Sequence, residues 1–268
     1  MAISVGRSIF TGLTLFLVAS STGAQVATEP AQTAAPDALD TTLSPQCRVP
    51  GSMLYKLAPL ISVRAALEEK RPIKVLALGP SVTGSLGQGS GAYPTRLEEE
   101  LEKVLSGIDV VMERRSLPGE IMADAFDRFT ALLTETEPDL LVWQVGTNDA
   151  LAKADIEAFT GALNQMLEWL KQTDTDVVLV GPSYHAALAS DEHYKALVAA
   201  VENSARKNDV PLVLRFETMR FLSQQRTQDA RNQFRLNELG YRCMAEHVAR
   251  TINLSILEPP RADAETPK

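Results

Sequence analysis

The chain has 268 residues, of which 45% are hydrophobic, so it can bury the core of one α/β domain of ordinary size. Its formal net charge is −8, spread along the chain without acidic or basic blocks. This charge argues against a nucleic acid or an anionic membrane surface as the main partner, and we expect no nucleic-acid partner.

The first 24 residues have the pattern of a secretory signal peptide. Arg7 precedes an apolar run from Ile9 to Val18, and small residues follow as far as Ala24. The apolar run is short for a membrane span, so we expect a mature chain with no integral membrane segment, exported to a bacterial periplasm or secreted. Residues 25–46 are rich in Ala, Thr, Pro, Gln and Ser, which predicts a flexible linker.

Apolar residues in residues 47–72 predict a segment with one or two short helices, and strands then alternate with helices from residue 73 to about residue 254. Five apolar runs predict strands, at Ile73–Leu78, Ile108–Met112, Leu140–Val145, Val177–Val180 and Pro211–Leu214. Helical periodicity predicts the intervening helices at about 93–105, 121–133, 156–170 and 194–201, and a last helix at about 238–252. Ser190 is the predicted cap of the helix after the fourth strand. The alternation predicts a three-layer α/β/α fold with a doubly wound, parallel, five-stranded, flavodoxin-like sheet, followed by a tail at 255–268.

Cys47 and Cys243 are the only cysteines. In an oxidising compartment they predict one disulfide, and the alternative is two unpaired thiols. Cys243 lies on the face of the last predicted helix that points away from the sheet, so the bond would hold the N-terminal segment across that helix. Closing so long a loop would stabilise the fold by about 4–5 kcal/mol on the chain-entropy model.

Three predicted strands end in residues suited to acyl transfer. The first ends in Gly79-Pro80-Ser81, the second leads to Gly119, and the third ends in Gly146-Thr147-Asn148-Asp149. Ser81 offers a hydroxyl nucleophile, and the backbone N–H groups of Ser81 and Gly119 with the Asn148 amide offer donors for an oxyanion. Alternatively, Ser81 only turns the chain or caps a helix. For Asp149 a role in the loop or as a helix cap is expected.

In their order and their positions at strand ends, these motifs resemble those of the SGNH hydrolases, the GDSL-type esterase and lipase superfamily, over roughly residues 73–252. The resemblance implies Ser81 as the nucleophile of ester hydrolysis, an oxyanion hole formed by Ser81, Gly119 and Asn148, and a small-molecule or glycan-linked ester as substrate. It implies no cofactor, and the three scattered histidines lack metal-ligand spacing. Pro80 stands where the family usually has an acidic residue.

The Asp-x-x-His motif that precedes the last helix in this family is replaced. Residues 236–241 match the sequence that typically follows the motif and fix the register, so Asn232 occupies the position of the orienting Asp and Arg235 that of the general base. Arginine stays protonated at neutral pH and cannot accept the proton of Ser81. Loss of the base in a serine triad typically costs about a million-fold in turnover.

Three interpretations of this site remain open. In the first, the protein is an esterase in which His185, after the fourth strand, replaces the missing base, although His185 is also consistent with a surface loop. In the second, it is a catalytically impaired homologue that binds an ester, an acylated glycan or a carboxylate, which Arg235 could grip at two points. In the third, Arg235 and Ser81 belong to a structural network without a ligand. The sequence does not indicate an oligomeric state.

Overall fold

The computed structural model describes residues 38–80, 92–105, 107–115, 121–225 and 238–259, so the predicted signal peptide lies outside the described residues. The strands are β1 (Tyr55–Lys56), β2 (Ile73–Leu78), β3 (Val110–Arg115), β4 (Leu140–Gln144), β5 (Asp176–Val180) and β6 (Leu212–Val213). The helices are α1 (Gly51–Leu54), α2 (Ile61–Glu69), α3 (Tyr93–Val104), α4 (Phe126–Thr136), α5 (Thr147–Leu151), α6 (Ile156–Leu170), α7 (Glu192–Asn208), α8 (Arg215–Gln224) and α9 (Glu238–Leu257). Short 3₁₀ turns lie at Met122–Asp124 and Ala186–Leu188.

The strands form one sheet in the order β1-β6-β5-β4-β2-β3. All neighbours from β6 to β3 pair in parallel, which confirms the five predicted strands and the doubly wound, flavodoxin-like order. The prediction lacked the sixth strand, because β1 pairs antiparallel with β6 through only two residues and lies in the segment predicted to be helical. The carboxyl ends of the five parallel strands therefore meet at one edge, where α/β proteins bind ligands.

Helices cover both faces of the sheet, as the continuous apolar strands require. On β2, Val75 and Ala77 belong to a core formed with α2, α3 and α9, whereas Leu76 and Leu78 belong to a core formed with α4, α6 and α7. All four of these side chains are buried. The three-layer α/β/α architecture predicted from the sequence is confirmed.

An N-terminal arm, residues 38–50, packs along the outer side of α9. The predicted disulfide between Cys47 and Cys243 joins the two. The prediction that the flexible linker extends to residue 46 is wrong for its last part, because Leu43 is buried and Asp40 accepts a 2.7 Å hydrogen bond from Nε of Arg250. One face of α9 holds the arm through Cys243, Glu246, His247 and Arg250.

Two further predictions of element boundaries are corrected, and helix α8 is an addition to the predicted elements. The cap of α7 is Asp191 rather than Ser190, since the Asp191 carboxylate accepts a 2.8 Å hydrogen bond from the Tyr194 amide. The last helix continues to Leu257, past the predicted start of the tail at residue 255. Helix α8 was not predicted, and it begins directly after β6, at Arg215.

Candidate functional site

The end of β2 lies tightly against β4. Gly79 has φ +144°, and a Cβ atom at this position would lie 2.5 Å from Cβ of Gln144. A glycine is therefore needed for the end of β2 to pass this close to β4. Pro80 is the last described residue here, and the predicted nucleophile Ser81, which follows it, lies outside the described residues.

The end of β4 presents Asn148 at the start of a helical turn. Gly146 has φ +79°, a left-handed conformation that directs the chain from β4 into α5. Oγ1 of Thr147 accepts a hydrogen bond of 3.1 Å from the Ser183 amide, which ties this turn to the loop after β5. Asn148 is half-buried at this turn, on the edge of the sheet where Pro80 also lies.

Asp149 anchors the segment that follows the predicted oxyanion residue Gly119. Only 4% of Asp149 is exposed, and its Oδ1 accepts a 2.6 Å hydrogen bond from the Met122 amide. Burial raises the pKa of this carboxyl, and the Met122 hydrogen bond partly opposes the rise. The expected loop role of Asp149 is thus found, and it links α5 to the 3₁₀ turn that begins at Met122.

A cleft with about 460 Å³ of empty volume opens between these segments. It is lined by residues from three strand ends, among them Gly79, Pro80, Ile121, Gln144, Asn148 and Asp149. The chain thus brings together the residues next to Ser81, the residues that follow Gly119, and Asn148 itself. Gly119 lies outside the described residues, as do Asn232 and Arg235, the residues at the positions of the family's Asp and His.

His185 lies in the exposed loop after β5 and is not among the residues that line this cleft. Its Nε2 is 2.8 Å from Oγ of Ser183, two residues before it in the chain. Partial burial and, secondarily, the positive charge of Arg215 lower the pKa of its imidazole, which favours the neutral form able to accept a proton.

Arg215 is a residue of this edge that the sequence analysis missed. It follows β6 directly and is 7% exposed. Burial lowers the pKa of its guanidinium, and the nearby phenols of Tyr93, Tyr194 and Tyr241 partly oppose this. Arg215 and Tyr241 line a second cleft, of about 450 Å³, beside α8 and α9. A single arginine directly after an apolar strand was the available sequence signal.

Two wider features of the described residues bear on cofactors and membranes. No group of three or more His, Cys, Asp and Glu side chains within the described ranges is arranged to hold a metal ion. None of the helices in the part of the chain that the structure describes combines the length and the apolar character of a membrane span.

Comparison with known proteins gives a family match that spans most of the chain. The model of the Non-GDSL lipase-like family matches residues 46–258. An arylesterase of Vibrio mimicus is 28% identical over 116 residues, which cover 41% of this chain and 57% of that protein. The chain therefore matches little more than half the length of this curated relative.

Solved structures share the fold at low sequence identity. A protein classed as a GDSL-like lipase from Parabacteroides merdae aligns with a TM-score of 0.59 and 15% identity, covering 69% of this chain and 97% of the other. A two-domain esterase active on acetylated mannans aligns with a TM-score of 0.64 and 17% identity, covering 80% of this chain and 58% of the other. At these identities the likeness shows a common fold.

Proposed function

Because the chain belongs to the Non-GDSL lipase-like family, within the SGNH hydrolase superfamily, we propose that it hydrolyses carboxylic esters, with an acyl or acetyl group as the part removed. One observation carries the proposal. The segments that flank Ser81 and Gly119 meet Asn148 around one cleft at the carboxyl edge of the sheet. Such a cleft can hold an ester carbonyl between a nucleophile and preorganised hydrogen-bond donors.

In this mechanism Oγ of Ser81 attacks the ester carbonyl carbon while a base takes the hydroxyl proton. The carbonyl π electrons move to oxygen, and the N–H groups of Ser81 and Gly119 and the amide of Asn148 donate to that oxyanion. Collapse of the intermediate breaks the bond to the alcohol, which leaves with the proton. Water then repeats the sequence on the acyl-serine and releases the carboxylic acid.

The base in this proposal is His185, since Arg235 stays protonated and Asn232 carries no charge. The lowered pKa of His185 keeps its imidazole neutral at pH 7. Its Nε2 contacts Ser183, so His185 has to exchange this partner for the hydroxyl of Ser81. Strands β5 and β2 are separated by β4, so the ends of these two strands lie about 10 Å apart.

A second candidate function is binding without turnover, and the residues at positions 232 and 235 favour it. A guanidinium in the place of the base grips a carboxylate in two-point fashion but accepts no proton. The ligand would then be an ester, an acylated glycan or a carboxylate.

The substrate class and the location of the protein complete the proposal. A structural neighbour acts on acetylated mannans, which supports a glycan-linked ester, with a small-molecule ester as the other substrate. The predicted signal peptide supports export to the periplasm or beyond, and the disulfide is compatible with an oxidising compartment.

Hydrolysis of p-nitrophenyl acetate by the mature protein tests the proposal. We expect turnover that falls at least roughly a thousandfold in Ser81→Ala, because the nucleophile is removed, and comparably in His185→Ala. Ser52→Ala, at an exposed position on α1, is the matched serine control and should retain the parent rate.

The results of this assay distinguish ester hydrolysis from binding without turnover. A silent parent in which Asn232→Asp combined with Arg235→His restores turnover would favour the binding function. Turnover that persists unchanged in Ser81→Ala would show that Ser81 is not the nucleophile. If the parent and the double variant are both silent, the hydrolase proposal is wrong.

A further inference from the structure

The guanidinium of Arg215 is a buried cation for which the described residues provide no anion. Only 7% of the residue is exposed, and no hydrogen bond or ion pair joins its side chain to any residue within the described ranges. The titratable groups that act on it are the phenols of Tyr93, Tyr194 and Tyr241. Its own positive charge contributes to lowering the pKa of His185. Burial raises the pKa of each phenol, so all three are neutral at pH 7.

A charge that is largely withdrawn from water is unfavourable unless an anion compensates for the hydration it has lost. Arginine does not escape this cost by losing its proton at accessible pH. Buried arginines are accordingly found with a carboxylate or a similar anion. Because Arg215 also lines a cleft, an anion that enters this cleft could compensate for its charge.

The space next to Arg215 has a matching shape and chemistry. Arg215 and Tyr241 both line the second cleft. The Tyr241 hydroxyl is buried and has no hydrogen-bond partner among the described residues, so its O–H is a donor without an acceptor in this part of the structure. The rest of the lining is largely apolar, with Val213, Met219, Leu222 and Met244. Such a cleft suits a carboxylate attached to a small organic group.

The second cleft lies on the same sheet edge as the candidate active site. Arg215 follows β6, which is separated from β4 only by β5, so the ends of β6 and β4 lie about 10 Å apart. Tyr93 lies between the two places, since the charge of Arg215 acts on its phenol and its hydroxyl lies close to Gln144, which lines the first cleft. The separation of these two strand ends, about 10 Å, is comparable to the length of a ligand several bonds long.

We propose that Arg215 and Tyr241 form a carboxylate-binding site that selects esters carrying a carboxylate, on either the acyl or the alcohol part. Two-point donation from the guanidinium and one hydrogen bond from the phenol hold the carboxylate. Carboxylate binding is argued from the burial of Arg215 and its place in the cleft lining, whereas selection among esters rests on the proposed hydrolase function.

Thermal unfolding of the mature protein with succinate tests binding without any need for activity. We expect succinate to raise the midpoint of wild-type unfolding at constant ionic strength, and the neutral isostere succinamide to leave it unchanged. In Arg215→Met the rise should disappear, while the ligand-free variant should be as stable as wild type or more stable, because an unpaired buried cation has been replaced by an apolar side chain. Arg220→Met on the same helix, where Arg220 pairs with Glu217 near the surface, is the matched control and should keep the rise.

Several outcomes would overturn the site. These are equal effects of succinate and succinamide on wild type, a succinate effect that survives in Arg215→Met, or an Arg215→Met protein that folds but is strongly destabilised. The last result would mean that the guanidinium has a partner inside the protein. The wild-type comparison decides the question even where the variant cannot be purified.

Steady-state kinetics then test whether the protein selects esters that carry a carboxylate. We expect kcat/KM for the p-nitrophenyl monoester of succinic acid to exceed that for p-nitrophenyl butyrate by about tenfold or more, and Arg215→Met to abolish the preference. The pair 4-acetoxybenzoate and phenyl acetate tests a carboxylate on the alcohol part in the same way. If all esters are inert but the succinate effect holds, the hydrolase proposal fails and the carboxylate site stands. If the esters react but neither pair shows a preference, selection by Arg215 is wrong.

Discussion

The end of β2 leaves room for only a hydrogen atom at position 79. We expect Gly79→Ala to lower the free energy of unfolding by about 2–4 kcal/mol, because the residue has φ +144° and its new methyl group would lie 2.5 Å from Cβ of Gln144. Urea unfolding measures the change. The matched control is Gly161→Ala, where no atom lies within 4 Å of the new methyl group, and this change inside α6 should stabilise by up to about 1 kcal/mol. Equal effects of the two changes would contradict the role of Gly79.

The residues of this edge differ in how far the sequence could reveal them. Gly79 and Asn148 follow long apolar strands, so their placement at the carboxyl edge could be predicted from local pattern alone. Arg215 could not be predicted in this way, because its burial depends on Tyr93, Tyr194 and Tyr241, which come from three distant helices. A single polar residue after a short strand is equally consistent with an exposed helix start.

Among the connecting elements, the 3₁₀ turn at Met122–Asp124 depends on one carboxylate of α5. We expect Asp149→Ala to speed hydrogen exchange at the Met122 amide at least roughly tenfold, because the 2.6 Å hydrogen bond to Oδ1 is lost. Asp149→Asn keeps a carbonyl oxygen as acceptor and should protect the amide to an intermediate degree.

The control for this prediction is Asp155→Ala, which removes a helix cap that accepts from the Ala158 amide at 2.8 Å. It should cost about 1 kcal/mol of stability and leave exchange at Met122 unchanged. If Asp155→Ala accelerates exchange at Met122 as much as Asp149→Ala does, the effect is one of global stability and the anchoring role is wrong.

Elements with a strong apolar repeat could be predicted from the sequence, and those formed by contact with distant segments could not. Helix α6 was predicted with the bounds that the structure shows, from its apolar face. Helix α8 mixes charged and apolar residues with little periodicity, and β1 is too short for an alternating pattern. The arm at residues 38–50 has a linker's composition, yet it is held by contacts with α9, more than 190 positions away in the chain.

At the scale of the whole molecule, two groups with shifted pKa values give stability opposite dependences on pH. Burial raises the pKa of Asp176 from 3.8 to about 6, although it accepts a 2.9 Å hydrogen bond from the Val63 amide at the start of α2. Between these values the folded protein holds a proton that the unfolded chain has released, so this contribution to stability is lost as pH rises through 6. Burial lowers the pKa of His247 from 6.5 to about 4, so its contribution is lost as pH falls through the same range.

We therefore expect the two single variants to diverge between pH 4.5 and 6. In Asp176→Asn the free energy of unfolding should increase with pH more steeply than in wild type, and in His247→Gln less steeply, by up to about 1.4 kcal/mol per pH unit in each case. Urea unfolding at several pH values gives the slopes. Asp174→Asn, at an exposed position before β5, should follow wild type. Parallel curves for all four proteins would show that neither group titrates as proposed.

The disulfide between Cys47 and Cys243 also makes the folded chain a covalent ring. The two cysteines are 196 positions apart, and all six strands lie between them in sequence. A protease that cuts a single peptide bond inside this ring, such as one between residues 81 and 91, therefore leaves one molecule rather than two fragments. The cut pieces part only when a reductant opens the ring. In an oxidising compartment, both sides of the candidate cleft thus stay joined after a single nick.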